Sequence, residues 1–98
     1  MELPTIKVYG EYKSGNYGAH ALRVDVGLLT VWYSYHTPIA FRSPGGPRVV
    51  HVNDWGPTTG RHLNDIDGGD KAAKAARVSA AEFARCWDLW AAPALESV

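Results

Sequence analysis

Apolar and polar positions alternate through the first half of the chain and recur at helical spacing near its end. In residues 20–26, His-Ala-Leu-Arg-Val-Asp-Val, the residues Leu22, Val24 and Val26 alternate with Ala21, Arg23 and Asp25, the pattern of a half-buried strand. Gly27 permits a tight reversal. In residues 28–36, Leu29, Val31, Tyr33 and Tyr35 share one face, while Thr30, Trp32 and Ser34 share the other. Thr37-Pro38 is expected to break the run, because proline lacks the N–H that a ladder needs; Ile39 to Arg42 then resumes it. "SPGGP", residues 43–47, reads as a turn, and Arg48 to Asn53 as another strand. Residues 5–12 make a first strand, followed by the loop "KSGNYG". These spacings predict an antiparallel meander of about five strands over residues 5–53.

The period then changes. Ser79-Ala80-Ala81-Glu82 is a capping box, with the serine accepting from the Glu82 amide and the glutamate reaching back to the Ser79 N–H. Val78 and Phe83 stand where a hydrophobic staple needs them. Phe83, Cys86, Trp87 and Trp90 then fall at helical spacing on one apolar stripe, with Arg85 and Asp88 off it. A helix over residues 79–91 follows, and Pro93 is expected to stop it. Between sheet and helix, a short helical turn over residues 58–66, capped by Thr58 or Thr59, would put His62, Leu63 and Ile66 on one side. "DKAAKAAR", residues 70–77, favours helix by its alanine content, though the preceding "DGGD" is flexible. The last residues, 94–98, are expected to be loose. The expected fold is α+β, one domain over residues 1–98, with the C-terminal helix laid on one sheet face and Tyr33 and Tyr35 turned inward to meet Trp87 and Trp90.

Ninety-eight residues support one core. Lys+Arg and Asp+Glu balance at ten each, whereas binding that rests on phosphate neutralisation usually shows a positive excess. The only cysteine, Cys86, excludes an intramolecular disulfide and a cysteine-based zinc site; on the apolar stripe it reads as an inert structural thiol. No leader pattern and no long apolar run stand out, so the expected location is the cytoplasm, with no membrane association.

Catalytic templates fail in turn. Asp65, Asp67 and Asp70 surround Gly68-Gly69, but counting from Asp65 the calcium-loop positions 5, 6 and 12 hold Gly69, Asp70 and Ala76. The four histidines, at 20, 36, 51 and 62, have no paired ligand spacing, so neither metal nor other cofactor is expected. There is no nucleophile elbow and no phosphate loop. His62 with Asp54 or Asp65 could form an acid/base pair, yet the sequence supplies no partner nucleophile. Trp32, Tyr33, Tyr35 and Phe41 beside Arg42, Arg48 and Arg61 could build a stacking platform for nucleic acid, or else be core. Trp32, opposite the tyrosines, is either covered by another segment or presented to a partner. In "NDWGPTTGRHLND", residues 53–65, most positions suit a strand-to-helix junction with Trp55 and Leu63 tucked under it, leaving Arg61 and His62 without a structural duty.

"YSYHTPIAF" (33–41) followed by "NDWGPTTGRHLN" (53–64) resembles small uncharacterised domains of bacteriophages and prophages, which pair a Tyr-Ser-Tyr-x-Thr-Pro segment with an aromatic followed by Thr-Thr-x-x-His. The likeness spans residues 30–65; Gly56 stands where those domains often carry serine. It implies a mobile-element origin and an accessory role on host machinery, CRISPR effectors included, and brings no catalytic residues with it.

The expected function is therefore a non-enzymatic binder of a host protein complex, with Trp32, Arg42, Arg48, Asp54, Arg61 and His62 as its binding residues. A nucleic-acid-binding domain using the strand aromatics and arginines is the alternative, and an enzyme centred on His62 and Asp54 the third reading. The edge strand at 5–12 leaves room for a homodimer.

Overall fold

A computed structural model describes residues 4–9 and 20–96 of the chain. Five strands form one sheet in chain order: β1 (Thr5–Val8), β2 (Ala21–Val26), β3 (Leu29–Ser34), β4 (Thr37–Arg42) and β5 (Arg48–Val50), all neighbours antiparallel. Three helical segments follow, α1 (Pro57–Asp67), α2 (Lys71–Ala76) and α3 (Ala80–Cys86). The last runs through a π-helical turn (Trp87–Ala91) into α4 (Ala92–Glu96). The fold is α+β, as the change of period predicts. The expected loop at 13–18 and strand positions 10–12 lie outside the described residues.

β4 begins at Thr37, two residues before the expected resumption at Ile39. Its ladder with β3 pairs Trp32 with Ala40 but Tyr33 with Pro38, so Ile39 is the extra residue of a bulge. The proline is accommodated beside that irregularity. Ile39 and Ala40, although adjacent, both join the same buried cluster. β5 is shorter than expected and ends at Val50. His51 instead bridges Val78 in parallel, through Val52 N–H to Val78 O and Val78 N–H to Val50 O, each 2.8 Å. This returning segment covers the outer edge of β5 and sets down α3 against the sheet.

Both faces of the sheet are covered. On one, Leu29, Val31, Phe41 and Val49 meet Phe83, Cys86 and Ala91, with Tyr33, Val78 and Trp87 packed around them. Phe41 meets the Phe83 and Trp87 rings edge-on, at 5.5 and 5.4 Å between centroids. On the other, Trp32, Ile39, Ala40 and Val50 meet Leu63 and Ile66 of α1. Trp32 is thus covered, 7% exposed, with the Arg23 guanidinium 5.6 Å from its ring centre.

α1 starts at Gly56 without a side-chain cap, so neither threonine serves there. Pro57 occupies the first turn, where its missing N–H costs nothing. α1 ends at Gly68, whose φ of 90° lets its N–H turn back to Asn64 O in the left-handed cap that glycine favours. The open question over 70–77 resolves as α2, capped by Asp70, whose side chain accepts from the Ala73 N–H.

The end of the chain departs most from expectation. Half of the capping box is present: Ser79 Oγ accepts from the Glu82 N–H, but the Glu82 carboxylate turns to Arg85 and Cys86. After Cys86 the Ala92 N–H reaches Trp87 O, five residues back. One residue is thereby inserted in the turn, so the inward position that α-helical spacing assigns to Trp90 passes to Ala91. Trp90 is 43% exposed. The helix also passes through Pro93 to Glu96, since the wider turn relieves the clash of a proline ring with the carbonyl four residues back. Residues 94–96 are helical rather than loose.

Burial raises the Cys86 thiol, and the neighbouring Glu82 carboxylate raises it further. Thiolate is the reactive form, so Cys86 should label with a disulfide reagent at pH 7 far more slowly in native protein than in urea. Equal rates would contradict the packing of this helix.

Candidate functional site

Two segments far apart in sequence meet where β3 runs out. Ser34 is the last residue of β3. Thr59 and His62, three apart on α1, lie on one helix face, the face turned to the sheet. Ser34 Oγ is 2.9 Å from Thr59 Oγ1 and 2.7 Å from His62 Nδ1. A hydroxyl has a single proton: when Ser34 donates to the imidazole it accepts from Thr59, and the other tautomer reverses the chain. Ser34 is 3% and His62 0% exposed.

Aromatic rings wall this network. Tyr9 stands edge-on to His62 at 6.1 Å, its hydroxyl donating to Tyr33 O at 2.7 Å. Tyr35 lies 6.2 Å from His62 and stacks on His20 at 4.2 Å. Tyr35 carries φ 57°, a region bulky residues rarely adopt, held by its N–H bond to His20 O at 2.8 Å. The strained turn lifts Tyr35 out of the alternation; it is 46% exposed and does not join the core with Tyr33. Of the four residues expected to meet inward, Tyr33 and Trp87 pack against the same core cluster.

A serine on an imidazole is the opening pair of a nucleophile–base arrangement. Here both members are sealed between α1 and the sheet, so the geometry fastens these elements together. Asp54 is exposed in the loop before α1, and Asp65 faces solvent on α1 while His62 faces the sheet. The loop that leads into α1 is a knot on Asn53: its Oδ1 accepts from the N–H groups of Trp55 and Gly56, and its Nδ2 donates to Gly56 O. Gly60 belongs to this knot, since a Cβ there would stand 2.9 Å from Asn53 Nδ2. Trp55 is exposed beside His51 rather than tucked under.

The remaining expected binding residues scatter. Arg42 and Arg48 face each other across β4 and β5, with Arg48 Nη1 donating to Ile66 O at 2.6 Å. Arg61 is exposed on α1. Other arginines serve the fold: Arg23 pairs with Asp25, Arg85 with Glu82, and Arg77 with Asp67. Sequence reasoning missed the last pair, in which both side chains are 6% exposed. Its signal was a carboxylate and a guanidinium flanking the Gly-Gly turn and a short helix. Burial would raise the Asp67 carboxyl, but the Arg77 bonds, the Gly69 N–H and the charges of Arg77 and Arg48 outweigh it and hold it below the usual range. Among the described residues, no group of three or more His, Cys, Asp or Glu side chains could hold a metal ion, and no helix is long and apolar enough to cross a membrane.

Residues 4–85 match the model of a family of unknown function, DUF8033. The match includes Ser34, Thr59 and His62 and stops before the π-helical turn. No curated protein and no solved structure matches the chain.

Proposed function

Because the chain belongs to DUF8033, a family of unknown function, its role has to be read from its own residues, and we propose that it is a non-enzymatic binder of a host protein complex. The observation that carries this is the π-helical turn, which leaves Trp90 43% and Leu89 53% exposed side by side. π-turns inside helices concentrate at functional positions. Tryptophan is the residue most enriched among interface anchors, and an uncovered Trp-Leu pair on a small domain suits a protein groove. The resemblance of residues 33–64 to phage and prophage domains favours a bacterial partner, and inhibition of a defence complex such as a CRISPR effector is the form of the proposal we adopt.

Nucleic acid fits less well. Of the strand aromatics that would stack on bases, Trp32 and Phe41 are buried and Tyr35 is exposed, and of the three arginines beside them Arg48 is tied to Ile66 O.

A photo-reactive benzoylphenylalanine at position 89 tests the reading in a bacterial host. The expected result is a discrete crosslinked protein that disappears when Trp90→Ala is added. A crosslink indifferent to Trp90, or oligonucleotide binding that weakens steeply with salt, would contradict it.

A further inference from the structure

Beside the buried ion pair lies a cavity of about 140 Å3, lined by Arg48, Val50, Asp67, Ala73 and Ala76. We propose that it is a binding site for a carboxylate carried on a short aliphatic tail. The apolar part comes from three residues. Val50 is buried on β5, and Ala73 and Ala76, three apart, share a face of α2. At roughly 30 Å3 per water molecule, the space holds four or five waters, or a tail of similar atom count.

The charge decides the head group. The Asp67 carboxylate is taken by Arg77 Nε and Nη2 at 2.8 and 2.9 Å and by the Gly69 N–H at 3.0 Å, so that pair is internally neutral. Arg48, whose charge also bears on Asp67, adds a further positive charge to the lining. Its Nη1 bond to Ile66 O fixes the guanidinium in place, and its other N–H groups have no partner among the described residues. An anchored guanidinium with donors to spare, in one lining with apolar side chains, suits a carboxylate. Asp67, already neutralised, leaves nothing to hold a cation. The ligand is either a free short-chain acid or the C-terminal residue of a partner polypeptide, since both present this group.

An NMR titration with 3-methylbutanoate and with acetyl-Gly-Gly-Leu separates these sources. Saturable shifts at Ala73 and Ala76 with 3-methylbutanoate support a free acid. Shifts only with the peptide, and only when its carboxylate is free rather than amidated, support a chain terminus. In either case Arg48→Gln should weaken binding about tenfold, and Ala73→Leu, which fills the cavity, should abolish it. No saturable response to either probe overturns the proposal. So does 3-methylbutanol binding as tightly as the acid, or undiminished binding by Ala73→Leu.

Discussion

Replacing Arg77 with methionine is expected to cost the fold about 3–5 kcal/mol, because it leaves a buried carboxylate without its counter-charge. The Arg77 guanidinium makes two bonds to Asp67 and a third to Asn64 Oδ1, joining the end of α1 to the segment that leaves α2. Small domains have about 5–15 kcal/mol in all, and each kcal/mol moves the melting point of a domain this size by roughly 4–8 °C. The variant should therefore melt far below the parent. The double variant Asp67→Asn, Arg77→Met should recover part of the loss, since a neutral amide is cheaper to bury than a charge. Acid gives an independent check. Asp67 titrates below its ordinary range in the folded protein, so its contribution is complete above the unfolded pKa of about 4. It is lost as pH falls through the folded value. In Arg77→Met that portion of the acid limb should flatten.

The second large effect is at His62. His62→Ala should destabilise by about 2–4 kcal/mol, from the cavity left by a fully buried ring together with the hydroxyls of Ser34 and Thr59 deprived of their partner. Ser34→Ala should cost less, about 1–3 kcal/mol, because it removes one atom and opens little space. Thermal unfolding of both checks the order. If either variant were as stable as the parent while losing partner binding, the Ser34–Thr59–His62 network would be a working site and not a fastening.

The physics behind these effects also explains what could be read beforehand. The pairing of β2 with β3 was legible, because both strands alternate cleanly and a single glycine turn joins them. The helix starting at Ser79 was legible for the same reason: its cap and its stripe agree. What escaped were one-residue insertions. The bulge at Ile39 and the π-turn at Trp87–Ala91 each shift a periodic pattern by a single position, and neither leaves a mark in the residues before it. Trp90 escaped on that account, and Tyr35 because the positive φ of its turn takes it out of the strand alternation. Trp32 was assigned to the correct face, and the helical turn over residues 58–66 with His62, Leu63 and Ile66 on one side is present as α1, but that α1 would be what covers Trp32 depends on tertiary packing. At the candidate site, "YSY" and "TTxxH" were visible as separate motifs. That Ser34 would touch both Thr59 and His62 depends on α1 folding back across the sheet, a tertiary fact no spacing encodes. The Asp67–Arg77 pair escaped because "DGGD" reads equally well as a solvated turn.

The account rests on Trp90 as the point of contact, and its affinity for the crosslinked partner tests that most directly. Trp90→Ala is predicted to keep the melting temperature of the parent and to weaken binding ~30-fold or more, the loss typical of an interface anchor. A Trp90→Ala protein that binds the same partner as tightly as the parent would contradict the account.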